Sequence, residues 1–211
     1  STGSGKSTLV KLISRLYDPD TGMIRIGGKD IREYPLKELR SLIGFVPQKA
    51  TLFSGTIEEN LRYGNENADI RQMENAARSA VAYEFIEKLE QEFEHELMQG
   101  ATNLSGGQKQ RLSMARAFIR QPKILVFDDS TSAVDALSEA AIQKTLKEQY
   151  GEATVFIISS KVSSIIDADQ ILVIDDGRIE ATGSHDELLQ TSKVYKEIYE
   201  TQSGKGVLSD E

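Results

Sequence analysis

Cysteine is absent from the 211 residues, and histidine occurs only twice, at His95 and His185. The first absence excludes disulfides, thiol catalysis and cysteine-based zinc sites. Two histidines are too few for a histidine-built metal cluster, and His95 is expected to be a solvated loop residue. Long hydrophobic runs are also missing. Apolar stretches stop at four or five residues, so no segment spans a membrane as a helix. Nor is there an excess of positive charge: the formal net charge of −8 argues against a general nucleic-acid scaffold. No secretory signal, internal repeat or low-complexity tract is recognisable, and the compartment this suggests is cytosolic. The length fits one or two domains with a sizeable core, burying roughly 70% of the surface of the unfolded chain.

Short continuous apolar runs are present. Ile124–Phe127, Val155–Ile158, Ile171–Ile174 and Ile43–Val46 read as strands buried on both faces, as in parallel sheets covered by helices. Helical patterns over 6–16, 105–120, 137–149 and 184–200 alternate with them. The predicted fold class is therefore α/β, with a mostly parallel sheet flanked by helices. Asp176-Gly177 marks a hairpin turn between Ile171–Asp175 and 178–181, a small antiparallel portion. Residues 69–100, rich in Glu, Gln and Ala, carry no strand-like run and read as two or three inserted amphipathic helices. The expected organisation is an α/β core over 1–66 and 104–202, a helical subdomain over 67–103 whose last helix runs on to about 120, and a mobile tail over 203–211.

The chain opens on Thr2-Gly3-Ser4-Gly5-Lys6-Ser7-Thr8, the back half of the phosphate-binding pattern G-x-x-x-x-G-K-[ST]. Small residues let several backbone N–H groups face a phosphate. The lysine adds charge, the next hydroxyl ligates Mg²⁺, and the helix that follows puts its N-terminus on the anion. The pattern's first glycine would fall just before Ser1. The chain is thus expected to be a fragment lacking the strand that normally leads into such a loop, and poorly soluble or partly unfolded when expressed alone.

A second pattern is Ile124-Leu125-Val126-Phe127-Asp128-Asp129, an acidic residue at the C-terminal end of a buried strand, where ligands meet parallel sheets. With a phosphate loop in the same chain, Asp128 is placed to hold Mg²⁺. The third is Leu104-Ser105-Gly106-Gly107-Gln108 ahead of a helix. Ser105 and Gln108 have the spacing of a capping box and are compatible with a plain helix start. Two glycines are poor in a first turn, however, and let backbone N–H groups approach an anion.

Together these motifs resemble the nucleotide-binding domain of an ATP-binding cassette (ABC) transporter over essentially the whole chain. In Phe45-Val46-Pro47-Gln48, Gln48 resembles the Q-loop glutamine that reads Mg²⁺ and couples to the membrane domain. Ser132-Ala133-Val134-Asp135 resembles the D-loop at the dimer interface. Leu52-Phe53-Ser54-Gly55-Thr56-Ile57 with Asn60 resembles the exporter branch, of multidrug and lipid type. The resemblance implies ATP and Mg²⁺ as ligands, with Thr2 to Thr8, Ser105 to Gln108 and Asp135 at nucleotide and Ser7, Gln48 and Asp128 at the metal. It also implies a second nucleotide-binding domain and transmembrane domains as partners, no nucleic acid, and a place at the cytoplasmic face of the membrane.

Three departures from the family pattern stand out. The residue after the strand-end aspartate is Asp129 where the family has its glutamate base. Ser160 stands where the family has a histidine near the γ-phosphate. Met98 and Gln99 replace a glycine and a glutamate in the loop before Ser105. Asp129, Ser160 and Gln48 are the expected catalytic group. A carboxylate roughly 1.3 Å short is poorly placed for base catalysis, which needs contact near 3 Å. Such a pattern is similar to the slow-site subunit of heterodimeric bacterial exporters, whose Leu-Ser-Gly-Gly-Gln completes the partner's site. The alternatives are a non-catalytic ATP-binding regulatory module and a soluble DNA-repair or translation-type ABC ATPase, the latter a poorer match to the charge and to Leu52–Ile57.

Overall fold

The computed structural model describes residues 5–204. Helix α1 (Lys6–Ile13) starts directly after Gly5 and buries Val10 and Ile13. A hairpin of β1 (Arg25–Ile26) and β2 (Lys29–Asp30) follows, turning through Gly27 and Gly28 at φ 58° and 80°. These are the left-handed values a two-residue turn of this kind requires. Helix α2 (Leu36–Ser41), led in by Pro35, buries Leu39 and delivers the chain to β3 (Ile43–Val46).

Next come β4 (Gly55–Thr56) and helices α3 (Ile57–Arg62), α4 (Ile70–Ser79) and α5 (Tyr83–Ile86), then β5 (Glu96–Leu97). Capping boxes start α3 (Thr56 with Glu59) and α4 (Asp69 with Gln72), so the orphan N–H groups of both first turns are satisfied by nearby side chains. The 69–100 region, expected to be helical throughout, contains one strand: Glu96–Leu97 pairs antiparallel with Gly55–Thr56. Two-residue strands bury too little to leave a periodic signal.

Helix α6 (Gly106–Phe118) precedes β6 (Ile124–Asp128), then α7 (Ala136–Gln149) and β7 (Thr154–Ile158). The strands β3, β6 and β7 form a parallel sheet in that order, with Phe45, Val126 and Phe156 in register. All five residues of β6 are buried. Its alternating side chains explain why: Leu125 and Phe127 enter the large core shared with α3, α4 and α6, and Ile124 and Val126 enter a second core with Val10, Ile13 and Leu39. Fully burying each such side chain is worth about 1.5–3 kcal/mol, so this strand is the firmest platform for a site at its end.

The remaining hairpin, β8 (Ile171–Asp175) with β9 (Arg178–Gly183), turns through Asp176 and Gly177 at φ 44° and 72°. The hairpin is as expected, but β8 is not buried on both faces. Ile171 and Val173 are buried while Leu172 is 40% exposed, because the strand packs one side only, against Val162, Leu188 and Tyr195. The single helix expected over 184–200 is two, α8 (His185–Thr191) and α9 (Lys193–Gln202). Ser192 breaks them: its backbone is extended and its hydroxyl accepts from the Tyr195 N–H, capping the second helix. The tail expected over 203–211 falls almost wholly outside the described residues.

Candidate functional site

Gly5 ends the described part of the phosphate loop at φ 92°, a left-handed value that only glycine adopts without strain, and α1 begins on it. Lys6 and Ser7, in the first turn, are half-buried and Thr8 is exposed. The helix axis aims its positive end at this turn. Thr2, Gly3 and Ser4 lie outside the described residues.

The end of β6 meets that turn. Asp128 is buried, and its Oδ1 accepts a 2.7 Å hydrogen bond from the Ser7 hydroxyl. One hydroxyl and one carboxylate from a rigid strand end fit Mg²⁺, which keeps most of its waters and takes one or two protein oxygens beside substrate phosphates. Among the described residues no cluster of three or more His, Cys, Asp or Glu forms a protein-only metal cage.

Asp129 extends the ladder one step, its N–H donating to the Ile158 carbonyl at 2.9 Å, and then turns the chain at φ 47°. Gln48, exposed in the loop after β3, donates from Nε2 to Asp129 Oδ2 at 3.2 Å. Buried Gln110 on α6 steadies that loop by donating from Nε2 to the Pro47 carbonyl at 2.9 Å. Gln110 was not among the sequence-predicted residues; its only signal was a long amide on the inward face of an otherwise apolar helix stripe.

Gly5 to Thr8, Gln48, Asp129, Ser159, Ser160 and Gln202 line a cleft of about 660 Å³ together with apolar residues that include Ile158, Val162 and Ile171. A larger cleft of about 850 Å³ between α4 and the end of α7 contains none of the predicted site residues.

Ser105–Gln108 and Asp135 do not line the 660 Å³ cleft. The capping box anticipated as the plain alternative is formed: Ser105 Oγ accepts from the Gln108 N–H at 3.3 Å, and Gln108 Oε1 accepts from the Ser105 N–H at 2.8 Å. Gly107 has a packing reason, since a Cβ there would sit 3.1 Å from the Ala133 carbonyl oxygen; Gly106 faces open space. Asp135 caps α7, accepting from the Ser138 N–H and hydroxyl at 2.9 and 2.8 Å, and those bonds hold its carboxyl below the usual range.

The exporter-like segment is a clamp around Asn60. This buried side chain accepts from the Phe53 N–H at 2.9 Å and donates to the carbonyls of Phe53 and Thr56 at 2.9 and 3.0 Å. His95 is half-buried rather than solvated, its Nε2 lying 3.2 Å from the Asn103 amide nitrogen.

Residues 1–132 match the family model described as ABC transporter. The chain is 48% identical over 205 residues to the uncharacterized ABC transporter ATP-binding protein YfiB of Bacillus subtilis, covering 97% of this chain and 35% of that protein. It is 43% identical over 206 residues to the ATP-dependent lipid A-core flippase of Vibrio vulnificus, covering 97% and 35%. Among solved structures it is similar to a bacterial Atm1-family ABC exporter with ATP bound, at a TM-score of 0.93 and 38% identity over 96% of this chain and 36% of that one. The chain belongs to the ABC transporter family and has the α/β fold of its ATPase domain. It spans about a third of the length of the curated relatives it matches.

Proposed function

We propose that this chain is the ATP-binding and ATP-hydrolysing domain of an exporter, and that its own site turns ATP over slowly. The 2.7 Å contact between Ser7 and Asp128 carries the first half of this reading, because it brings the metal-ligating hydroxyl and the strand-end carboxylate to one point. Ser7 and Asp128 would hold Mg²⁺ there, and the ion would supply charge neutralisation for the phosphates. Lys6 and the first turn of α1 hold the phosphates, and Gln48 orients groups around the metal.

Asp129 is the candidate base and supports the second half. Its carboxylate is one methylene shorter than a glutamate, and one of its oxygens accepts from Gln48. Ser160 offers a hydroxyl in the same cleft, without the reach or the ring of a histidine. The proposed partner is a second nucleotide-binding domain with a stronger base, whose ATP is completed by Ser105–Gln108 of this chain; Asp135 lies at the interface between them.

A second groove supports a membrane-domain partner. Phe53 and Tyr63 are exposed with ring centroids 4.7 Å apart, and Arg40, Arg116 and Arg120 line the same hollow of about 430 Å³. This mixture of exposed aromatics and guanidiniums suits a short helix with an acidic side chain from the transmembrane portion.

The test is steady-state ATPase of the full-length protein with its natural partner. Asp129→Ala leaves turnover unchanged, whereas Ser105→Arg abolishes it. If Asp129→Ala abolishes turnover instead, Asp129 is a working base and the slow-site reading is wrong.

A further inference from the structure

The loop that carries Ser160 is held locally by one side-chain bond, the Lys161 N–H donating to the Ser159 hydroxyl at 2.9 Å. Ser160 and Lys161 are exposed, and the short helical turn over Val162–Ser164 starts without a side-chain cap from Lys161. From α7, Glu139 accepts from the Ser164 hydroxyl at 2.6 Å and Gln143 donates to the Ser164 carbonyl at 3.2 Å, which fixes only the far end of the turn. Besides the Ser159 bond, the near end is clamped from α9. Gln202 donates from Nε2 to the Ser160 carbonyl at 2.7 Å and accepts at Oε1 from the Val162 N–H at 2.8 Å.

We infer that Gln202 is a positioning residue for the phosphate site: its amide brackets Lys161 and sets where Ser160 stands in the cleft. A primary amide is suited to this, since one rigid plane presents a donor and an acceptor side by side. It satisfies the N–H that the short helical turn leaves open and a carbonyl two residues earlier. Two bonds to one plane fix an orientation as well as a distance. The inference rests on the reading of this cleft as the ATP site, and it makes α9 an element through which the site is tuned.

The full-length protein, with any cysteine elsewhere in it replaced, takes a single nitroxide at Lys161→Cys, because this chain contributes no competing thiol. Label mobility, ATP affinity and single-turnover hydrolysis are compared for Gln202, Gln202→Leu and Gln202→Glu, with Glu200→Gln as a control on the same helix. Gln202→Leu loses both bonds: the label becomes more mobile, and single-turnover hydrolysis falls about tenfold, within the roughly 100-fold that a full 1 Å misplacement can cost, while the ATP Kd moves less than about twofold. Gln202→Glu keeps the acceptor and loses the donor, and falls between; Glu200→Gln behaves as the parent. An unmoved label, an unmoved rate, or a Kd that shifts in step with the rate overturns the inference. If turnover and ATP binding prove independent of Lys6, the reading of the site fails separately, and the label alone decides whether Gln202 sets the loop.

Discussion

Gln48 Nε2 stands 3.2 Å from Asp129 Oδ2, so the loop after β3 touches the residue that follows β6 across the mouth of the cleft. Asp129 is therefore engaged by a neutral donor. Asp129→Glu lengthens the side chain by one methylene and, on the proposed reading, raises hydrolysis at this site by about 10- to 100-fold. The φ of 47° at this position suits aspartate better than glutamate, so the gain comes with a stability loss of about 1 kcal/mol. Single-turnover hydrolysis and thermal unfolding of the same variant check both halves.

Asn60 is nearly fully buried with three hydrogen bonds to the backbone of 53–56. Asn60→Ala removes the side-chain partner of an N–H and two carbonyls in a part-buried loop. The expected loss is about 2–4 kcal/mol in denaturant unfolding, without change in ATP affinity. A loss under about 0.5 kcal/mol, the size of an ordinary surface substitution, means that water takes over those groups.

Gly64 has no room for a side chain: a Cβ would run into the Arg116 carbonyl and Ile119. Its backbone has an ordinary negative φ, so the constraint is packing between the end of α3 and α6. Gly64→Ala is expected to cost about 1–3 kcal/mol. Gly28→Ala is a useful contrast, since nothing lies within 4 Å of its Cβ and only its φ of 80° opposes the change. Thermal midpoints rank the two.

The Arg32 side chain and N–H both donate to Asp30, and these bonds pull its carboxyl down to about 2 from 3.8. A carboxyl depressed in the folded state contributes stability that is complete above its unfolded value and is lost as pH falls through the folded one. Between pH 4 and 2 the parent protein should therefore lose stability that Asp30→Asn does not. Parallel acid titrations of the two proteins, followed by unfolding, show converging curves if this holds.

The sheet was legible where apolar runs are covered on both sides. Ile124–Phe127 reads as a buried strand because Leu125 and Phe127 enter one core and Ile124 and Val126 another. Ile171–Ile174 has nearly the same composition, yet only one face is covered, and no feature of a four-residue run distinguishes the cases. Ser192 was invisible as a break because a serine inside a helical pattern caps only if the chain bends there. At the site, Ser7, Gln48, Asp128 and Asp129 were readable as motif positions, and the contacts joining them follow from strand order. Gln110 and Gln202 were not. Each works by reaching the backbone of a segment at least 40 residues away, and nothing local records which carbonyl a distant amide will meet.

Gly107 leaves no slack between the start of α6 and the carbonyl of Ala133. The segment ending in Asp135 and the turn beginning at Ser105 are thus closely packed against each other. On the proposed reading, a second domain that presses on either segment displaces both, and so meets a single jaw rather than two independent fingers. Widening residue 107 by one methyl would loosen that jaw before it touched any nucleotide.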